Sequence, residues 1–282
     1  MSKLDQFESQ FRAASRTTYE YQSPELQSVM VLSDLEDDAE RRFIAECKRL
    51  LPDHWSGTIE PVRHAEFSNI GDLLARLQKQ QPDLIFTYRH LGTDAWQWPY
   101  SLGVNLDVLT QATASPVMVM PHPGRSGDVP GTPNTQVVMA ITDHLTGDHH
   151  LVNYGAHFTA AGGELHLTHI EPTAHFDRVL EAISKIPGIE TEAARTEIQA
   201  RLLKDPRDYI QGCREVLQAR VPDLTVVETV VMGRRLSEYR RLIDEHQVNL
   251  LVMNTKDDDQ LAMHGMAYPL AVELRDLALL ML

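Results

Sequence analysis

The chain has 282 residues, of which 43% are hydrophobic and 23% charged, and its formal net charge is −14. That length predicts one large domain or two ordinary ones, and the composition is that of a globular protein. No apolar run reaches the ~20 residues of a membrane span, and residues 1–16 hold no apolar stretch of the secretory kind. Cys47 and Cys213, the only cysteines, are too few for a disulfide framework. A cytoplasmic protein is therefore expected, with no membrane partner. Up to residue 130 there are 12 Lys and Arg against 18 Asp and Glu, and beyond it 14 against 22. Both parts are acidic, so bulk electrostatics oppose nucleic acid and anionic lipid alike.

In chain order, Leu4, Phe7 and Phe11 form an apolar stripe at helical spacing, which predicts an N-terminal helical extension over 1–25. The next hundred residues alternate: strand 28–33, helix 38–51, strand 57–63, helix 69–80, strand 83–88, helix 102–113, strand 115–120. The strands are short, apolar and β-branched; the helices repeat apolar residues every three or four positions. Pro121, Pro123, Gly124, Gly127, Pro130, Gly131 and Pro133 then break both kinds of element, which predicts a linker over 122–134. Beyond it come strand 136–142, helix 146–161, strand 164–170, a helical stretch 173–220, strand 224–232, helix 236–246, strand 248–254, helix 263–275 and strand 276–282. Pro187-Gly188 interrupts the long helical stretch, and Pro206 is expected to restart it with Asp205 as N-cap.

The two parts repeat each other. Val29 to Asp34 matches Val138 to Asp143, Asp83 to Phe86 matches Asn249 to Val252, and Pro116 to Met120 matches Ala278 to Leu282. Three matches in one order indicate duplication, with domains over 26–121 and 135–282, the first shorter by one βα unit. Strands alternating with helices predict α/β architecture, a doubly wound parallel sheet in each domain.

The Asp-terminated first strand, Leu165 to Ile170 as second strand, Asn249 to Asn254 as fourth, Gly265-Met266-Ala267 opening a helix and the apolar last strand together resemble a tandem universal stress protein. In the first part, Ser101-Leu102-Gly103 followed by Ser115 to Val119 resembles that family's ending. The resemblance covers nearly the whole chain. It implies an adenine-nucleotide alpha-hydrolase-like fold, a stress-response role, and association of edge strands between domains or in a homodimer. It also implies an ATP site in which the first-strand Asp contacts the nucleoside and a glycine-rich loop after the fourth strand wraps the phosphates. Asp34 and Asp143 match the nucleoside position; as residue types they equally suit helix N-caps.

The phosphate loops depart from the family pattern. Asn254 stands at the first glycine position of the second domain, Gly265 follows with shortened spacing, and Met266 replaces Ser or Thr. Asp257, Asp258 and Asp259 fill that loop, where they would repel a triphosphate. In the first domain Tyr88 and Gly103 bracket a loop holding Trp96, Trp98 and Tyr100. Asp34, Gly103, Asp143, Asn254 and Gly265 are thus the nucleotide or ligand candidates, with ATP or AMP the ligand in question.

Arg234, Arg235, Arg240 and Arg241 follow a strand ending near Gly233, where a doubly wound sheet binds ligands. Arg234 and Arg235 are anion-binding candidates; i,i+4 pairing along a solvated helix face is the other reading. Seven histidines from His144 to His175 show no fixed metal spacing, and no metal site is assigned. There is no Gly-x-Ser-x-Gly elbow, Walker loop or Gly-x-Gly-x-x-Gly fingerprint, so no catalytic residue is assigned. The expectation is a non-enzymatic stress-response protein acting by ligand or partner binding. The alternatives are an ATP- or AMP-binding switch, and an enzyme using the carboxyl-edge cleft of the second domain.

Overall fold

The computed structural model describes residues 18–52, 55–97, 101–123, 134–142, 144–255 and 267–282. In the first part, β1 (Ser28–Ser33), β2 (Thr58–Arg63), β3 (Leu84–Tyr88) and β4 (Val117–Met120) alternate with α1 (Asp37–Leu50), α2 (Ile70–Gln80) and α3 (Val104–Ala112). In the second, β5 (Val137–Ile141), β6 (Glu164–Pro172), β7 (Thr225–Gly233), β8 (Leu250–Met253) and β9 (Ala278–Met281) alternate with α4 (His149–Phe158), α5 (Thr173–Ser184), α6 (Thr191–Arg220), α7 (Arg235–Glu245) and α8 (Ala267–Glu273).

Among the described residues, nine strands form one sheet in the order β2-β1-β3-β4-β9-β8-β5-β6-β7. Within each half these neighbours are parallel, whereas β4 and β9 are antiparallel, with Met118 facing Leu280. The fold is α/β and doubly wound in both halves, with four strands in the first and five in the second. The expected extra βα unit is β7 with its preceding helices.

Local sequence explains the elements. Every residue of β3, β4, β8 and β9 is buried, as continuous apolar runs covered on two faces require. Helix α1 buries Phe43, Cys47 and Leu50 at spacings of four and three, with Asp37, Asp38 and Glu40 in its first turn and Lys48 and Arg49 in its last. That charge order complements the helix dipole. Helix α2 starts at Asn69, whose side chain accepts from the Asp72 N–H at 3.1 Å.

Two expectations fail. Pro206 lies inside α6, which runs unbroken through it. Proline removes one i→i−4 bond, to the carbonyl of residue 202; here its ring is buried, and Arg201–Asp205 and Lys204–Asp208 pairs span the position on the exposed side. Residues 18–25 of the expected N-terminal helix contain no helix, and residues 1–17 lie outside those described. This segment is instead tied down by side chains. The buried Tyr19 hydroxyl donates to Asn153 Oδ1 at 2.8 Å, and Ser23 Oγ bonds His157 Nδ1 at 3.1 Å, both on α4.

Candidate functional site

In the first half, the chain leaves β1 toward β2 on one side and returns to β3 on the other. This divergence opens a cleft beyond the carboxyl ends of the strands, where doubly wound sheets place their ligands. A cavity of about 600 Å3 lies there. Each wall is a strand end: Asp34 follows β1, Arg63 and His64 close β2, Gly92 and Asp94 follow β3, and His122 follows β4.

Asp34 is held by neighbours on β3 and its loop. Its Oδ1 accepts from the Tyr88 hydroxyl, its Oδ2 accepts from the Gly92 N–H at 2.7 Å, and its own N–H donates to the Tyr88 oxygen at 2.8 Å. Tyr88 is fully buried, with Phe43 and His122 edge-on to its ring at 5.2 and 4.8 Å. Burial and the bond to Asp34 push its phenol well above the ordinary range. A carboxylate has about four acceptor positions; two are taken here, which leaves Asp34 able to accept from a ligand.

Gly92 has φ of 78°, and a Cβ there would meet the His64 ring at 2.5 Å. The glycine lets the loop lie flat against His64 while its N–H reaches Asp34. Arg63 lines the cleft with its guanidinium held by α1. Its Nε and Nη2 donate to Glu40 Oε1 and Oε2 at 3.0 and 2.6 Å, which holds the Glu40 carboxyl below the usual range.

Gly103 is also explained by the protein itself. It precedes α3 with φ of 90°, and a Cβ would lie 2.8 Å from His90 Cα and 2.9 Å from His90 N. The close approach that a phosphate would need is made by the His90 backbone, whose N–H donates to the Leu102 carbonyl at 2.9 Å.

In the second half, Asn254 follows β8 and donates from Nδ2 to Asp148 Oδ2 at 2.6 Å. Asp148 in turn caps α4 by accepting from the Leu151 N–H at 3.0 Å. Asp143, Gly265 and the run Asp257 to Asp259 lie outside the described residues. The arginines disperse. Arg235 Nε donates to the Ile170 carbonyl at 3.1 Å, Arg240 pairs with Glu273 at 3.0 Å, and Arg241 pairs with Glu238 at 3.0 Å and with Glu245. Arg234 stands exposed at the helix N-cap without capping it. Of the expected i,i+4 pairs, Arg241 with Glu245 is formed. His166 and His169 are buried in β6 beside Glu164 and Glu171, at 3.1 and 3.3 Å. Among the described residues, no group of three His, Cys, Asp or Glu is arranged to hold a metal ion.

Of the residues singled out from sequence, the structure therefore brings only Asp34 into this cleft. Arg63, His64, Gly92, Asp94 and His122 were missed, although each lies at or within six residues after a strand's end.

No family model and no curated protein matches the chain. Among solved structures it is similar to a protein of unknown function from Pseudomonas aeruginosa PAO1, with 14% identity and a TM-score of 0.44 over 100% of this chain and 88% of that one. A candidate universal stress protein from Pseudomonas aeruginosa UCBPP-PA14 gives 14% identity and 0.46 over the same shares. A universal stress protein from Archaeoglobus fulgidus DSM 4304 gives 11% identity and 0.44, over 91% of this chain and 96% of that one. Likeness at these levels leaves activity, ligand and partner to this chain's own residues.

Proposed function

We propose that this is a cytoplasmic stress-response protein of the tandem universal-stress type, which acts by binding a small polar ligand in the first-half cleft and not by catalysis. The observation that carries this reading is Asp34, a carboxylate fixed at the switch point by Tyr88 and Gly92 with acceptor positions left over. It suits a ligand with vicinal hydroxyls, and a nucleoside is the form that agrees with the sequence resemblance. The packing of Gly103 on His90 speaks against a triphosphate, because it fills the place of a phosphate cradle.

Calorimetry with adenosine, AMP and ATP tests this. Adenosine is expected to bind wild type, with Asp34→Asn weakening it and ATP no tighter than adenosine. At 100 times its dissociation constant the ligand should stabilise the fold by about 2.7 kcal/mol. Binding of ATP tenfold tighter than adenosine, or adenosine binding indifferent to Asp34→Asn, would overturn the proposal.

A further inference from the structure

A second cavity, of about 500 Å3, opens at the amino edge of the first half, on the side of the sheet's strands remote from Asp34. That volume lies in the range of small-molecule sites. Its apolar wall includes Leu77 and Pro82, and Tyr154 of α4 enters from the second half.

The electrostatics of this cavity have one sign. Helices α2 and α3 both end at it, at Gln80 and Ala112, so two negative dipole ends converge there. Residues 82 and 116 follow these two helix ends. Both are prolines, which have no N–H, and both line the cavity. Asp83 adds a full charge. Its Oδ2 accepts from the Gln27 N–H at 2.9 Å, the Ser28 N–H at 2.8 Å and the Ser28 hydroxyl at 2.9 Å. Burial pushes this carboxyl up, but the backbone bonds from Ser28 and Gln27 outweigh it and leave it below the usual range. Its Oδ1 has no hydrogen-bond partner among the described residues. Glu25 stands exposed at the rim. Among the described lining residues there is no Lys, Arg or His to balance these charges. Burial and the Asp83 charge both raise the Tyr154 phenol, so the carboxylate acts on that ring as well.

We propose that this cavity binds a small organic cation, an ammonium or guanidinium group on an apolar stem. The charged head sits against Asp83, Glu25 and the two helix ends, and the stem lies along Leu77 and the Tyr154 ring.

Titration calorimetry of the full chain with agmatine, pentylamine and pentanoate tests this. Both amines are expected to bind saturably at one site and to weaken with added salt, while pentanoate, the same stem with the opposite charge, does not bind. Glu25→Gln, at an exposed position, should lower amine affinity about two- to fivefold. Tyr154→Leu should lower it about two- to tenfold. Asp34→Asn, in the other cleft, should leave it unchanged. Pentanoate binding as well as the amines, no amine binding up to millimolar concentration, amine affinity indifferent to both Glu25→Gln and Tyr154→Leu, or amine binding lost in Asp34→Asn would each overturn the proposal.

Discussion

Replacing Gly103 with alanine separates a glycine kept for a ligand from one kept for the fold. The position has φ of 90°, and the added Cβ would lie 2.8 Å from His90 Cα and 2.9 Å from His90 N, both backbone atoms. Two costs follow. The Gly-favoured backbone conformation costs an alanine about 1–3 kcal/mol. Displacing packed backbone adds about 1–3 kcal/mol, the usual cost of overpacking. Gly188 serves as the reference, because it also has φ of 90° but no atom beyond its chain neighbours lies within 4 Å of its would-be Cβ. Gly103→Ala should therefore be less stable than Gly188→Ala by about 1–3 kcal/mol, the packing part alone. For a chain of this size each kcal/mol moves the midpoint by about 2 °C or somewhat more, so the variants should differ by about 2–6 °C. Thermal unfolding followed by far-ultraviolet circular dichroism reads this directly. If the two variants melt together, Gly103 does not serve the contact with His90. A role in admitting a phosphate would then return.

Three further outcomes follow from the charges and buried groups. The Arg63 bond holds Glu40 below its ordinary range, so its stabilisation is complete above about pH 4.3 and is lost as pH falls through the lowered value. Arg63→Gln should lower the urea midpoint at pH 7 and cost progressively less as pH falls below about 4.3. His166 and His169 are held neutral, with burial the chief cause of their lowered values. The unfolded chain takes up protons there below about pH 6.5, so stability should fall from pH 7 to pH 5.5, and less in a His166→Gln/His169→Gln variant if that variant folds; an equal slope would refute the assignment. Burial raises the Cys47 thiol well above its usual value and pushes Cys213 up to about 12. Neither should react with Ellman's reagent at pH 8 until urea unfolds the chain; fast labelling of the native protein would contradict their burial.

The central strands were legible because each is a run of apolar residues that only a sheet covered on both faces can accommodate. Val29 to Leu32 and Leu250 to Met253 needed no tertiary information to be identified. Asp34 was legible because it follows such a run directly. The rest of its cleft was not, since Arg63, His64, Gly92 and His122 meet only when strand order brings β1, β2, β3 and β4 together. Local pattern holds no record of that order. Pro206 misled for a related reason. A proline usually marks a helix boundary, but packing of the surrounding turns, with Leu203, Tyr209 and Ile210 buried, outweighs one lost hydrogen bond. The helical extension expected over 1–25 rests on Leu4, Phe7 and Phe11, whereas residues 18–25 are held through Tyr19, which bonds Asn153, 134 residues away.

The β4–β9 seam has a geometric consequence. Strands within each half run the same way, but crossing from β4 to β9 reverses the direction of travel. The carboxyl edge of the first half and that of the second therefore open on opposite rims of one continuous sheet. The two carboxyl edges stand back to back, and no single small molecule can bridge them. The two edges are linked through the shared strands Val117–Met120 and Ala278–Met281 and through the segment 18–25, whose Tyr19 and Ser23 bond α4.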